Sequence, residues 1–375
     1  MEKFYTSLGL MSGTSMDGVD TSIIRSDGEN NYEPISDKYF EYDEIIYSDL
    51  LNLRDKIDSI KDLTTNSYQI NELERKITLF HAKISKEIIK NAGIDIDFVG
   101  FHGQTIFHNA QERISKQIGD GNLLSNLLKK EIVYKFREND ILNGGQGAPL
   151  APIFHNLLVN KYQIERPACV LNIGGIANIT LVVSKNNEDL ISFDVGPGNC
   201  LLDEWVRRHT QMKYDENGKA SEIGKTSEVI LNQAIDNFDN ISNQKKLSFD
   251  IKDFDLSFVK GLSYEDGLST LVDFTAVIIY QSILKSIKIK ENEKLLIIVC
   301  GGGRKNLSLM ESIRERLPKN ISLKIIDDYK IDGDFIESQA FAYLAIRSAL
   351  KKEISYPSTT DVQKPCTGGV LVKNY

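Results

Sequence analysis

The residues best suited to chemistry begin at Gly13-Thr14-Ser15-Met16-Asp17-Gly18-Val19-Asp20. Glycine lets backbone N–H groups approach a ligand closely. Hydroxyls can donate to phosphate oxygens, and a carboxylate such as Asp17 can hold Mg²⁺ through water. This is the chemistry of a phosphate-binding turn, although the same residues also suit an ordinary Gly/Asp hairpin. The chain has no G-x-x-x-x-G-K-[ST] stretch, so this is not a Walker A loop. Further on, His102, Gln104 and Thr105 put an imidazole, an amide and a hydroxyl within four residues, a set able to read sugar hydroxyls. On residues alone, a polar loop with one capped histidine is the preferred reading there. Asp194 precedes Gly196-Pro197-Gly198. A carboxylate so placed can act as a general base or simply form a turn. Gly301-Gly302-Gly303 follows an apolar run and suits a nucleotide's phosphate or sugar at a helix N-terminus. Glu337 opens the last long helix, where pairing with the helix dipole is the plain reading.

The elements that position these groups follow from periodicity. Residues 4–24 predict a hairpin with the first turn at its tip, and residues 39–46 a further strand. Apolar positions Ile70, Leu73, Ile77, Phe80, Ile84 and Ile88 predict helix within 48–92, stopped near Gly93. Ile96 to Gly100 predicts a buried strand, with the His102 stretch in the loop at its C-terminal end. Three glycines around Gln146 imply close backbone approach, before a helix over 153–160. Residues 168–183 predict a second hairpin, with Gly174-Gly175 at its tip and Asn178 beyond, and so weakly repeat the first. A strand over 190–195 ends in Asp194 and its glycine turn. Residues 211–262 read as a polar helical insertion, with Lys245-Lys246 on a solvated face. A helix over 268–289, a strand over 295–300, a helix over 307–317, a strand over 323–326 and a helix from 332 complete the chain.

Length and composition bound the reading. A chain of 375 residues predicts two domains. The formal charge of −8 argues against nucleic acid or an anionic membrane surface as partner. Four scattered cysteines form no metal spacing and fit a reduced, cytoplasmic setting. The longest apolar run, Leu295 to Cys300, is strand-sized, so no membrane span is expected.

Six motifs in order resemble the anhydro-N-acetylmuramic acid kinases of the acetate/sugar kinase–Hsp70–actin superfamily. They are Gly9 to Asp20, His-Gly-Gln-Thr at 102–105, Gly-Gln-Gly-Ala-Pro at 145–149, Asp-x-Gly-Pro-x-Asn at 194–199, the glycines at 301–303, and Glu337 to Ala342. Ser338 stands where the family has alanine, and Gly369 departs from a Thr-Gly-Ala ending. The resemblance implies an α/β fold of two ribonuclease-H-like lobes with a central nucleotide and substrate cleft. Lobe I would be 1–133 plus about 355–375, and lobe II 134–354. ATP would contact Gly13, Thr14, Ser15, Met16, Asp17, Gly18, Val19, Asp20, Gly174, Gly175, Gly301, Gly302 and Gly303. The sugar would meet His102, Gln104, Thr105, Gln146 and Asn178. Asp194 is implied as catalytic base with Glu337 as second carboxylate, ATP and Mg²⁺ as cofactors, and a homodimer as assembly. The implied reaction converts 1,6-anhydro-N-acetylmuramic acid, ATP and water to N-acetylmuramic acid 6-phosphate and ADP.

Three competitors stand beside this expectation. One is a kinase of the same fold acting on another sugar or a small carboxylate. Another is a non-catalytic sugar or nucleotide sensor, which would have no need of Asp194, Glu337 and the 13–20 turn together. The third is an assembly or chaperone ATPase, which would lack the sugar-site motifs.

Overall fold

A computed structural model describes residues 3–242, 249–287 and 293–375. Lys245-Lys246 and the last residues of the helix expected over 268–289 lie outside these. The described chain forms twelve strands: β1 Tyr5–Ser12, β2 Gly18–Ser26, β3 Tyr32–Glu41, β4 Phe98–Asn109, β5 Ile114–Ile118, β6 Glu131–Tyr134, β7 Ala168–Ile173, β8 Ile176–Val182, β9 Ile191–Pro197, β10 Leu295–Cys300, β11 Ile321–Ile325 and β12 Val370–Val372.

The chain folds as two compact units. The first comprises Met1–Ile164, Lys185–Leu190 and Asp334–Tyr375, the second Glu165–Ser184 and Ile191–Gly333. These bounds differ from the expected ones, because 134–164 and 334–354 group with the first unit. The reason is pairing and packing. β6 pairs with both β4 and β12. The helix Ile336–Ala349 presses so closely on the first sheet that a Cβ on Gly9 would lie 1.8 Å from Ser338 O, and one on Gly100 2.2 Å from Phe341 O.

Each unit repeats one topology. In the first, β3-β2-β1 is an antiparallel meander whose β1 continues into parallel β4 and β6. In the second, β9-β8-β7 does the same and β7 continues into parallel β10 and β11. The weak repeat seen between the two hairpins is therefore a duplication of a whole five-strand sheet.

Within the first unit, Leu8, Leu10, Val19, Ile23, Val99 and Phe101 face a core shared with the helices Glu44–Arg54 and Ser67–Ala92. The latter helix ends at Gly93, whose φ of 65° is the left-handed cap glycine adopts readily. The strand expected over 39–46 is corrected: β3 stops at Glu41, and Asp43 Oδ1 accepts from Ile46 N at 2.8 Å to start a helix. In the second unit, β7, β8 and β9 pack one face against the helix Tyr264–Ser286 and its neighbours. Contrary to the expectation of no such segment, that helix is long and apolar enough to cross a membrane. Its Leu268, Leu271, Ile278 and Ile279 are instead core residues at 1% exposure or less.

Candidate functional site

Each unit carries its own set of candidate residues. In the first unit, β1 ends at Ser12 and β2 begins at Gly18, leaving Gly13 to Asp17 as the turn. Met16 takes a left-handed φ of 59°, and its N–H donates to Gly13 O at 3.3 Å. Ser15 Oγ donates to Asp17 Oδ1 at 2.5 Å. Tyr39 also hydrogen-bonds Asp17; burial first, then the Asp17, Glu41 and Asp20 carboxylates, push the Tyr39 phenol pKa up. Thr14 and Ser15 are exposed.

The His-Gly-Gln-Thr stretch was expected in a loop, but β4 runs through it to Asn109. The strand leaves its parallel neighbour β6 after Phe101 and pairs antiparallel with β5 from Gln104 onward. Gly103, with φ of 74°, sits at that change of partner. Gln104 is fully buried. Its Nε2 donates to Gly13 O at 2.9 Å, while its Oε1 has no partner. Because Gly13 O can only accept, the amide nitrogen must be the atom facing it. Thr105 Oγ1 accepts from Gln117 Nε2 at 3.1 Å.

Both ring nitrogens of His102 have partners within the protein. Burial foremost, and then the Arg137 cation, hold its pKa well below 6.5, so the ring is neutral. Nδ1 lies 2.8 Å from Gly103 O and therefore carries the proton. Nε2 accepts from Arg137 Nη2 at 3.0 Å. The residue that emerges here is Arg137, which sequence reasoning passed over. Its Nη1 also donates to Gly147 O at 2.7 Å. From the opposite side, the buried Asp140 Oδ2 accepts from Gly147 N at 2.7 Å, and its Oδ1 from Thr360 Oγ1 at 2.6 Å. Arg137 and Asp140 thus clamp one residue of the Gly-Gln-Gly loop and orient Gln146, whose Oε1 is buried without a partner. The signal available in the sequence was Arg-x-x-Asp just ahead of that loop. Glu337 lies in the first turn of its helix, as expected. It keeps some accessible surface, yet burial raises its carboxyl pKa and Arg137 offsets part of that rise.

The second unit holds a further set of candidate residues. Asp194 was expected at a strand end, but β9 continues to Pro197. In register, Asn172, Asn178 and Asp194 stand side by side across β7, β8 and β9, on the face opposite the core residues Leu171, Ile179 and Val195. Asp194 Oδ2 accepts from Phe249 N at 3.0 Å. The Gly174-Gly175 turn is tied to the next one: Asn199 N donates to Gly174 O at 2.8 Å and Gly198 N to Gly175 O at 2.9 Å. The Gly301 to Gly303 turn is anchored by Arg304, which donates to Gly301 O at 3.0 Å and pairs with Asp327 at 2.6 Å. The helix expected to receive a phosphate at its N-terminus, Leu307–Arg316, is instead capped by Asn306 Oδ1 at 3.0 Å from Leu309 N. The glycine turn precedes it by a short 3₁₀ turn, Gly302–Lys305.

Three glycines stand out by what does not surround them. A side chain at Gly13 would meet nothing nearer than Ser15 Oγ at 3.8 Å, at Gly174 only Ile176 O at 3.6 Å, and at Gly302 only Asn199 Nδ2 at 3.7 Å. None has a positive φ. Neither packing nor conformation demands glycine there, as at Gly261, where nothing lies within 4 Å; a bare backbone at such a turn leaves room for a ligand to approach closely.

The duplicated sheet with a glycine turn in the first hairpin of each copy defines a two-lobed α/β protein of the ribonuclease-H-like, actin-like ATPase class. The family model for anhydro-N-acetylmuramic acid kinase matches residues 5–374. A curated protein of that name from Pelagibacter ubique is 88% identical over 375 residues, covering 100% of each chain. Those from Agrobacterium fabrum and Zymomonas mobilis are each 36% identical, over 100% of both chains and over 97% of this chain and 98% of the other, respectively. Among solved structures, a ROK family glucokinase from Streptomyces griseus in complex with glucose and AMPPNP aligns over 91% of this chain and 99% of that one, with 10% identity and a TM-score of 0.41. The chain belongs to the anhydro-N-acetylmuramic acid kinase family.

Proposed function

We propose that the chain is an ATP-dependent kinase that converts 1,6-anhydro-N-acetylmuramic acid and water to N-acetylmuramic acid 6-phosphate, releasing ADP. Family membership supports the substrate. The observation that carries the nucleotide half is the open face at Gly13, Gly174 and Gly302, one in each of three glycine turns.

In this reading, Asp194 takes a proton from water as the water oxygen attacks the anomeric carbon. The bond from that carbon to the bridging oxygen breaks, and the freed O6 attacks the γ-phosphorus, with ADP leaving. Glu337 serves as the second carboxylate that orients the water. Phosphoryl transfer relies on positioning and charge neutralisation more than on covalent chemistry. N–H groups of the turn between Ser12 and Gly18, apart from that of Met16, which is bonded to Gly13 O, supply donors to the phosphates, while Gln104 and Gln146 offer buried acceptors to the sugar's N–H or O–H groups. Among the described residues no three His, Cys, Asp or Glu cluster into a metal cage. That suits Mg²⁺, which keeps several waters and binds through phosphates with one or two carboxylates. Asp17 would hold it through water, and the ion neutralises phosphate charge. The same reading takes the chain as a cytoplasmic homodimer, supported by family membership alone.

The test is a coupled assay of ADP release with the anhydro sugar, ATP and Mg²⁺. The wild-type chain should release one ADP per sugar phosphate formed. Asp194→Asn should lose turnover nearly completely while still binding ATP. Loss of ATP affinity in step with turnover counts against Asp194 as the base.

A further inference from the structure

The turn between β1 and β2 is gripped from behind by Tyr42, which belongs to no motif. Its backbone N–H donates to Asp17 O at 2.9 Å. Its phenol oxygen lies 2.9 Å from Ser12 Oγ. Ser12 is the last residue of β1, and Asp17 the last before β2. One residue therefore holds both ends of the turn.

The hydroxyl pair continues inward. His81 Nε2 lies 3.5 Å from the same Ser12 Oγ, and its Nδ1 lies 2.8 Å from Ile77 O. A carbonyl only accepts, so Nδ1 carries the proton and Nε2 is the acceptor. Burial brings the His81 pKa down to about 4, which keeps the ring neutral. The direction of the chain follows: Tyr42 O–H donates to Ser12 Oγ, and Ser12 O–H donates to His81 Nε2. Ser12, Tyr42 and His81 are 1%, 4% and 0% exposed, so these bonds are sheltered from bulk solvent. Phe80 packs on Tyr42 with ring centroids 4.9 Å apart, and Phe101 on His81 at 4.9 Å. The turn needs such support. Met16 sits at φ of 59°, a region costly for a side-chain-bearing residue unless its surroundings impose it.

We infer that Tyr42 is a positioning residue for the phosphate turn, fixing the spacing of its two ends and thereby the aim of its N–H groups. This rests on the reading that residues 13–20 bind the phosphates of ATP.

The experiment compares steady-state kinetics and ATP binding for Tyr42→Phe, Ser12→Ala, their double variant, Tyr32→Phe and Gly13→Val. Tyr42→Phe keeps the ring and the backbone bond and loses one buried hydrogen bond. It should raise KM for ATP about five- to tenfold and leave KM for the sugar unchanged. The double variant should fall short of the sum of the two single effects, because both changes remove the Tyr42–Ser12 bond, while Ser12→Ala alone also removes the bond to His81. Tyr32 is a buried tyrosine at the opposite end of β3, bonded to Gln339. Tyr32→Phe should lower the melting temperature without moving KM for ATP. If Tyr42→Phe leaves KM for ATP within twofold of wild type, or shifts it no more than Tyr32→Phe does, the inference is overturned. Should Tyr42→Phe fail to fold, Ser12→Ala reads the same bond together with the longer one to His81, and its KM for ATP must rise at least twofold for the inference to stand. Gly13→Val separates the two claims, because a Cβ there meets nothing nearer than 3.8 Å in the fold while the added bulk would stand in the way of a ligand. It should abolish ATP binding. Wild-type binding by Gly13→Val would remove the phosphate-turn reading, and the Tyr42 inference with it. Abolished binding together with an unaffected Tyr42→Phe would remove the Tyr42 inference alone.

Discussion

Arg137 organises more of the candidate site in the first unit than any residue the motifs point to. It donates to His102 Nε2 and to Gly147 O, and its charge lowers the pKa of Glu337. Replacing it with methionine removes a cation beside a carboxyl, so the ionised form of Glu337 becomes harder to reach. If Glu337 works ionised, the acid limb of kcat/KM should move to higher pH in Arg137→Met, and KM for the sugar should rise about tenfold. An acid limb that stays in place would break the link between the two residues. Glu337→Gln should lower kcat by about a hundredfold or more, a usual size for a lost acid–base group, with KM for ATP little changed. At this scale the sequence named the groups but not their roles. His-Gly-Gln-Thr announces an imidazole and an amide. Only the fold shows that both imidazole nitrogens are already engaged and that one face of the Gln104 amide is committed to Gly13 O.

The elements were legible where local pattern decides them. Both glycine hairpins, the helix Ser67–Ala92 with its glycine stop and the strand Leu295–Cys300 follow directly from periodicity and punctuation. Strand ends were not legible where a neighbouring strand decides them. β4 runs on through His102 because β5 folds back to pair with it, and β9 runs on past Asp194 because β8 pairs with it up to Pro197. The packing of the helix Ile336–Ala349 against β1 and β4 makes a prediction at this scale. Gly9→Ala would put a methyl 1.8 Å from Ser338 O, so the helix that carries Glu337 must shift. A loss of about 2–3 kcal/mol in urea unfolding is expected, the upper range for overpacking, together with a fall in kcat. A stable and fully active Gly9→Ala would contradict this account of how Glu337 is placed.

For the whole molecule, the duplicated sheet was foreshadowed by two similar hairpins, but the bounds of the units were not. The chain leaves the first unit at 164 and returns to it for 185–190 and again from 334. Such crossings leave no local signal in composition. The first unit also buries histidines in neutral form: burial lowers His81, His108 and His155 to about 4 and His102 well below 6.5. In the unfolded chain these rings take up protons near their ordinary value, so the unfolded state binds more protons between pH 6.5 and 4. Stability from this source is full above pH 6.5 and is lost as pH falls toward 4. Urea midpoints should therefore drop steeply between pH 7 and 5, and a flat profile would contradict neutral burial.

The central claim is that one active site couples hydrolysis of an internal glycosidic ether to phosphorylation. Its most direct test is mass spectrometry of the product made from ATP, Mg²⁺ and 1,6-anhydro-N-acetylmuramic acid in ¹⁸O water. The account predicts a 6-phosphorylated sugar carrying one ¹⁸O at the anomeric carbon before exchange, with none in the phosphate. A chain that binds ATP but forms no sugar phosphate, or forms one without the label at that carbon, would contradict it.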